Sequence, residues 1–346
     1  MAKRPNEDEI AAGVLINFGG NPTLLLEGDP MTEATNRQHR SILQNIAHRA
    51  MLEGGLAPDF PPRALAELAN IHGLATMTSG SIRDLRNLPW CSIDNDDSRD
   101  LDQLTVAEAM PDEQTKILVA VADVDAVVQE QSALDEHAQQ NTASVYTIAE
   151  TFPMLPEKLS TDLTSLNLEA DRLAIVIELV LSRDGSLQRS ELYQAMVRNR
   201  AKLTYNGLAA WLEGTGPAPQ GLGNVPGLDE NLRLQDRAAQ KLKGLRHLHG
   251  ALELETIETR PVFEGDELKD LEADTKNRAK ELIEDFMIAA NGATARYLAA
   301  KGFPSVRRVV RVPKRWDRII ALAAELGTTL PKEPDAKALN QFLLTA

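Results

Sequence analysis

An α+β fold is expected for this chain on three observations. Two apolar, β-branched runs, KILVAVADVDAVV from Lys116 and RLAIVIELVLS from Arg172, have the texture of strands buried on both faces. Two long helical stretches follow, one capped by Asp229 and running to about His249, the other opened by Asp274 and ending at Gly302. Strands and helices interleave without a regular strand–helix–strand rhythm, which disfavours a doubly wound parallel sheet. At 346 residues and 43% apolar content, the chain can build a large core, so global disorder is excluded.

Taken in order, residues 1–88 read as a small separate module and 89–346 as the main domain. GVLINF and TLLLEG are expected as short strands joined by the turn GGNP. Asn36 to Glu53 carries a helical stripe of Ile42, Leu43, Ile46, Ala47 and Met51. PPRALAELANIHG starts on prolines and ends on glycine, the usual asymmetry of a helix. Two short helices joined by a turn suit either a helical adaptor or a helix-turn-helix. The basic residues Arg37, His39, Arg40, His48 and Arg49 keep nucleic-acid binding open, including a duplex-DNA regulator. Gly214 to Gly227 reads as a loop.

Composition narrows the function classes. The single cysteine, Cys91, excludes an internal disulfide framework and a cysteine-based zinc site. The N-terminal MAKRPNEDEIAAG lacks an apolar core, and no run of about 18 apolar residues occurs, so a cytoplasmic protein without a membrane span is expected. A net charge of −14 matches nucleic acid poorly, although a basic channel can sit inside an acidic protein.

The stretch CSIDNDDSRDLDQL crowds Asp94, Asp96, Asp97, Asp100 and Asp102 together. A solvated acidic loop is one reading. A calcium-binding EF-hand loop is rejected, because its glycine and glutamate positions hold Arg99 and Thr105. A magnesium site for phosphoryl chemistry is the third reading, since Mg²⁺ takes hard oxygens and few protein carboxylates. Asp100 and Asp102 share a face in extended chain, and Asp94 can fold back onto them.

These residues resemble the signature of the RNase II/RNase R (RNB) family of exoribonucleases, roughly I-D-x5-D-[LM]-D-D. The resemblance continues in order through VAVADVDAVV, SVYTIAETFPMLPEKLSTDLTSLN, DRLAIVIELVLSRDGSL, NRAKLTY, GALELE and IEDFMIAAN, from about Trp90 to Tyr297. It implies an RNB-type α+β domain, a mixed sheet flanked by helices around a channel for single-stranded RNA. It also implies 3′→5′ hydrolysis to nucleoside 5′-monophosphates with Mg²⁺, or Mn²⁺ in its place, by a monomer. By matching position, Asp94, Asp100 and Asp102 hold or orient the metals, with Asp102 the most critical for chemistry. The family's fourth aspartate falls on Gln103, an amide that can ligate but brings no charge. Tyr146 matches an aromatic that stacks on a base. Tyr205 and Glu284 match residues that favour RNA over DNA, for which hydrogen bonds to the ribose 2′-hydroxyl are the obvious means.

Three departures accompany the resemblance. A second family aromatic falls on Leu254, and a family arginine on Asn141. The family's T-S-P-I-R-R-Y segment and C-terminal barrel have no counterpart before Ala346, so the C-terminal portion of the domain is expected to be missing. Residues 1–88 hold two Phe and no Tyr or Trp, which disfavours the aromatic-rich barrels usual there. An RNA-binding protein that keeps the channel but has lost turnover is the competing expectation.

Overall fold

The computed structural model describes residues 32–73, 82–252, 258–264, 267–306, 314–343 and 345. The two strands expected at GVLINF and TLLLEG, and the Leu254 position, lie outside the described residues.

Helices α1 (Thr32–Glu53) and α2 (Pro62–Asn70) come first. Pro61 and Pro62 start α2, where a missing N–H costs nothing. The helix stops at Asn70 with Ile71 extended, three residues short of the glycine expected to end it. Strands β1 (Arg83–Asp84), β2 (Cys91–Asp94), β3 (Gln103–Ala109) and β4 (Thr115–Ala122) lead to α3 (Ala133–Asn141). The small hairpin β5 (Val145–Tyr146) and β6 (Thr151–Phe152) follows, then a π-helical turn at Lys158–Leu163. The long strands β7 (Asp171–Leu181) and β8 (Leu187–Arg198) precede β9 (Ala201–Thr204), α4 (Tyr205–Leu212) and α5 (Leu228–Leu248). A second hairpin, β10 (Glu258–Glu264) and β11 (Glu267–Asp274), leads to α6 (Arg278–Ala300), α7 (Trp316–Glu325) and α8 (Ala336–Leu343).

Among the described residues the main sheet has seven strands in the order β1-β8-β7-β4-β3-β2-β9. The β2/β3, β3/β4, β4/β7 and β7/β8 pairs are antiparallel, whereas β1/β8 and β2/β9 are parallel. The sheet is therefore mixed, as the α+β reading requires. Alternation along the strands divides two cores. Cys91, Ile93, Ile117, Val119, Ile177 and Leu179 face α4, α5 and α6 and pack on Leu232, Ala239, Leu282 and Phe286. Trp90, Leu104, Val106, Leu118, Ala120, Val176 and Val197 fill the opposite face, closed by Leu166. Each fully buried large side chain contributes roughly 1.5–3 kcal/mol of transfer free energy, which is what holds α6 flat against the sheet.

Neither long helix starts where expected: α5 begins two residues earlier and α6 three residues later. The α5 cap is Gly227, at φ 75°, and Asp229 sits in the first turn, where a carboxylate favours the helix dipole. For α6, β11 pairs through Asp274, and the Asn277 side chain accepts hydrogen bonds from the Ala279 and Lys280 N–H groups.

Candidate active site

β2 ends at Asp94, and β3 begins at Gln103, so Asn95 to Asp102 form the connection that carries the acids. Two sets of bonds shape it. Asp94 Oδ1 accepts from the Asn95 N–H at 2.7 Å and from Ser98 Oγ at 2.8 Å, an Asx-type fold that bends the chain back. Farther along, Ser165 Oγ donates to the Arg99 carbonyl and accepts from the Leu101 N–H, each at 3.0 Å. The Leu166 N–H donates to the Leu101 carbonyl at 2.7 Å. Lys202 Nζ donates to the Ser98 carbonyl at 2.6 Å. The acid-bearing connection is thus tied to the 165–166 segment on one side and to β9 on the other.

The result brings Asp94, Asp100 and Asp102 into one electrostatic neighbourhood. Crowding strips hydration from the Asp102 carboxyl, although it keeps a solvent-exposed edge, and the Asp94 and Asp100 carboxylates add repulsion. Asp102 is thereby pushed up to about 6. Among the described residues, no Lys or Arg forms an ion pair with any of the three. Asp96 and Asp97 stay exposed in the loop.

This electrostatics yields a testable sign. A raised carboxyl favours the folded state below the unfolded carboxyl's value near 4, and that advantage disappears as pH climbs through 6. Without divalent metal, Asp102→Asn is therefore expected to raise the melting temperature at pH 8. Discounted for solvent exposure, the gain is about 1–2 °C. It should vanish below pH 4; thermal melts at both values in EDTA check this, and an equal shift at both would refute the repulsion.

Two tyrosines border the acids. Tyr146, on the β5–β6 hairpin, is 67% exposed, and its hydroxyl donates to Asp100 Oδ2 at 3.0 Å. Burial of the hydroxyl and then the Asp100 charge raise its proton affinity. Tyr205 opens α4 behind the Thr204 cap; burial first, then Asp94 and Asp102, push it up to about 12. Asp94 and Thr204 are direct partners in the parallel β2/β9 pair, which is why Tyr205 falls beside the acids.

Gln103 and Glu284 stand apart from this group. Gln103 is buried as the first residue of β3 and alternates with Leu104, so it shares the helix-covered face with Thr105, whose hydroxyl donates to Gln235 of α5. Glu284 lies exposed on α6 and pairs with Lys276 at 2.9 Å. Asn277 of the same helix reaches Asn206 at 3.0 Å, and Lys280 lies 6.0 Å from the Tyr205 ring centre. Glu284 is therefore on the side of α6 that looks toward α4, without a contact to the aspartates.

The donor set suits a hard cation in its chemistry: three carboxylates with no ion-paired cation among the described residues, one of them raised by desolvation and then by the other two. As placed, among the described residues no three His, Cys, Asp or Glu side chains are gathered closely enough to hold an ion.

The model of the RNB domain matches residues 82–346. The chain belongs to the RNB family. The matched span begins at β1 and takes in every acid of the site and both tyrosines. Over 231 residues the chain is 36% identical to ribonuclease R of Vibrio parahaemolyticus, covering 66% of this chain and 27% of that protein. It is 32% identical over 278 residues to ribonuclease R of Escherichia coli, covering 75% and 32%. With exoribonuclease 2 of Shigella flexneri it shares 33% over 235 residues, covering 66% and 36%. The chain thus spans about a quarter to a third of the curated relatives it matches. Mycoplasma genitalium RNase R in complex with ribose-methylated single-stranded RNA superimposes with a TM-score of 0.79 at 23% identity, over 88% of this chain and 48% of that one. Yeast Ssd1, a pseudonuclease, gives 0.60 at 13% identity, over 77% and 32%. At these identities the likeness is one of fold.

In this RNB domain several supporting residues escaped the sequence reading. Asn199, 1% exposed, donates to Ser92 Oγ and to the Leu166 carbonyl, both at 3.0 Å, and accepts from the Ala201 N–H at 3.2 Å. It therefore bridges β2, β9 and the segment that holds the acids. Ser165 and Lys202 do the same from either flank. All three lie inside blocks already marked by the family resemblance, TSLN and NRAKLTY. Their role as scaffolding for the aspartates appears only in three dimensions.

Proposed function

We propose that the chain is an Mg²⁺-dependent 3′→5′ hydrolytic exoribonuclease. It degrades single-stranded RNA to nucleoside 5′-monophosphates, acts as a monomer in the cytoplasm, and accepts Mn²⁺ as a substitute ion. The observation that carries this reading is the trio Asp94, Asp100 and Asp102, uncompensated by any ion-paired cation among the described residues, beside an exposed aromatic ring bonded to one of them.

Asp94, Asp100 and Asp102 would hold the ion, with Gln103 as a neutral fourth donor only if its side chain leaves the helix-covered face. When bound, Mg²⁺ supplies an activated water and neutralises charge on the phosphate. Tyr146 presents its face to the base, and stacking grips RNA of any sequence. Its hydroxyl, bonded to Asp100, fixes the distance between that base and the acids. Tyr205 offers a hydroxyl that stays protonated at neutral pH and so can donate to a ribose oxygen. Glu284 reaches a 2′-hydroxyl by exchanging its Lys276 ion pair. RNA complexes of the Mycoplasma genitalium relative support RNA as the partner.

Single-stranded RNA labelled at its 5′ end, incubated with the chain and Mg²⁺ or with EDTA, tests the proposal. A ladder shortening from the 3′ end, metal-dependent and accompanied by mononucleotides, is expected. A second reading, an RNA-binding protein without turnover, is favoured by Gln103 in place of an acid. RNA that is bound but never shortened would select it.

Tyr146→Ala should weaken binding of a short single-stranded RNA by about 1–3 kcal/mol, roughly 5- to 150-fold, the range for one lost base stack. Tyr146→Phe should retain most of that affinity. Anisotropy titrations at fixed salt measure both; equal losses would assign the effect to the hydroxyl rather than the ring.

A further inference from the structure

The hairpin that carries Tyr146 is held by parts of the chain distant from it in sequence. Its stem leaves α3 at Asn141, the position where the family has an arginine. The next residue, Thr142, sits at φ 57°, a left-handed conformation that a β-branched side chain adopts only under constraint. Asn141 supplies a constraint. Its side chain is 2% exposed and clasps the backbone of Ala57 from both sides: Nδ2 donates to the Ala57 carbonyl, and Oδ1 accepts from the Ala57 N–H, each at 2.8 Å. Nδ2 also lies 3.2 Å from His137 Nε2, and the Phe60 ring covers His137 at 4.3 Å. Glu67 of α2 accepts from the Ala133 and Leu134 N–H groups at the other end of α3. Residues 57–67 thus hold α3 at both ends.

The hairpin itself is touched by α1. Arg40 Nε donates to the Ala149 carbonyl at 3.4 Å, within the turn. The His48 ring meets the edge of buried Phe152 at 6.4 Å. The turn is closed by the Thr147 N–H to the Glu150 carbonyl at 3.0 Å. Tyr146, Ile148, Glu150 and Thr151 face solvent, and the Tyr146 hydroxyl reaches Asp100.

We propose that Asn141 and Arg40 are positioning residues for the Tyr146 hairpin, so that the helical segment before the RNB domain sets where the aromatic platform stands relative to Asp100. The proposal rests on the reading of Tyr146 as an RNA-stacking platform.

The test combines two measurements on the whole chain. Hydrogen exchange of residues 145–152 should accelerate in Asn141→Ala, and in Arg40→Met, which leaves the core intact should the first variant fold poorly. Affinity for a short single-stranded RNA should fall roughly three- to tenfold in either variant, part of the value of one stack. In a Tyr146→Ala background the same substitutions should cost nearly nothing more, because residues acting through one group are not additive. Unchanged exchange in both variants overturns the proposal. So does an RNA loss that persists in full without the Tyr146 ring, which would mark Asn141 as a general stabiliser. If Tyr146→Ala alone leaves RNA affinity intact, the platform reading fails, and the functional half of the proposal falls with it even where exchange accelerates.

Discussion

Asp102→Asn is expected to reduce RNA shortening by about 10³-fold while leaving RNA affinity within about threefold, the pattern of a group needed at the reacting phosphate and little elsewhere. The substitution keeps size and shape, and it removes the carboxylate on which the other two converge electrostatically. On the proposed function the trio holds the ion, so deleting one charge would weaken the ion's hold and its alignment together, and aligned charge in such sites is worth several kcal/mol. Tyr146 and its hydrogen bond to Asp100 remain, so the grip on RNA remains. Single-turnover rates on labelled RNA beside anisotropy titrations check both halves. Loss of affinity in step with loss of rate would show that Asp102 serves binding, and unaltered rates would place the chemistry elsewhere.

Trp90→Ala carries the largest expected cost to stability. Trp90 is fully buried in the core that faces Leu104, Val106 and Val197, and its Nε1 donates to the Leu85 carbonyl at 2.8 Å. Its own carbonyl accepts from Arg200 N–H at 2.9 Å, at the entry to the β2/β9 pair. Truncation leaves a large cavity and removes one of the two donors to the Leu85 carbonyl, which keeps the Leu88 N–H, at a cost of about 3–5 kcal/mol. That is a large share of the stability of many domains, and a fall in melting temperature of roughly 4–9 °C is expected. Trp90→Phe should lose clearly less. Denaturant titrations resolve the two. A small loss in Trp90→Ala would mean that the core collapses around the site.

Much of the fold was legible because burial leaves a mark on composition. β4 and β7 are apolar on both faces and were readable as central strands. The sheet order was not: β9 lies beside β2, about a hundred residues away, and β1 beside β8, pairings that no local pattern encodes. Helix starts were displaced because several Asp, Asn and Gly residues offer plausible caps, and only geometry shows that Asn277 bonds the free N–H groups while Asp274 still belongs to β11. In the site, the two-residue spacing of Asp100 and Asp102 and the loop back to Asp94 were readable. The same alternation, carried one residue further, sends Gln103 to the other face, so adjacency in sequence misleads there. The Tyr146–Asp100 bond depends on a hairpin whose placement is set by Asn141, a residue visible before only as a missing arginine.

The order of the sheet also bears on how the molecule behaves in company. Among the described residues, only Arg83 and Asp84 pair with the outer side of β8, opposite Ala195 and Met196. Among the described residues most of that twelve-residue strand has no partner on this side, and a bare strand edge is the usual template for aggregation. The uncovered stretch carries Gln188, Arg189, Ser190 and Glu191, all exposed, and Glu191 pairs with Arg83. Polar and charged side chains at that rim make the addition of a neighbour's strand costly, so the longest strand can stand at the border of the sheet without seeding insoluble assemblies.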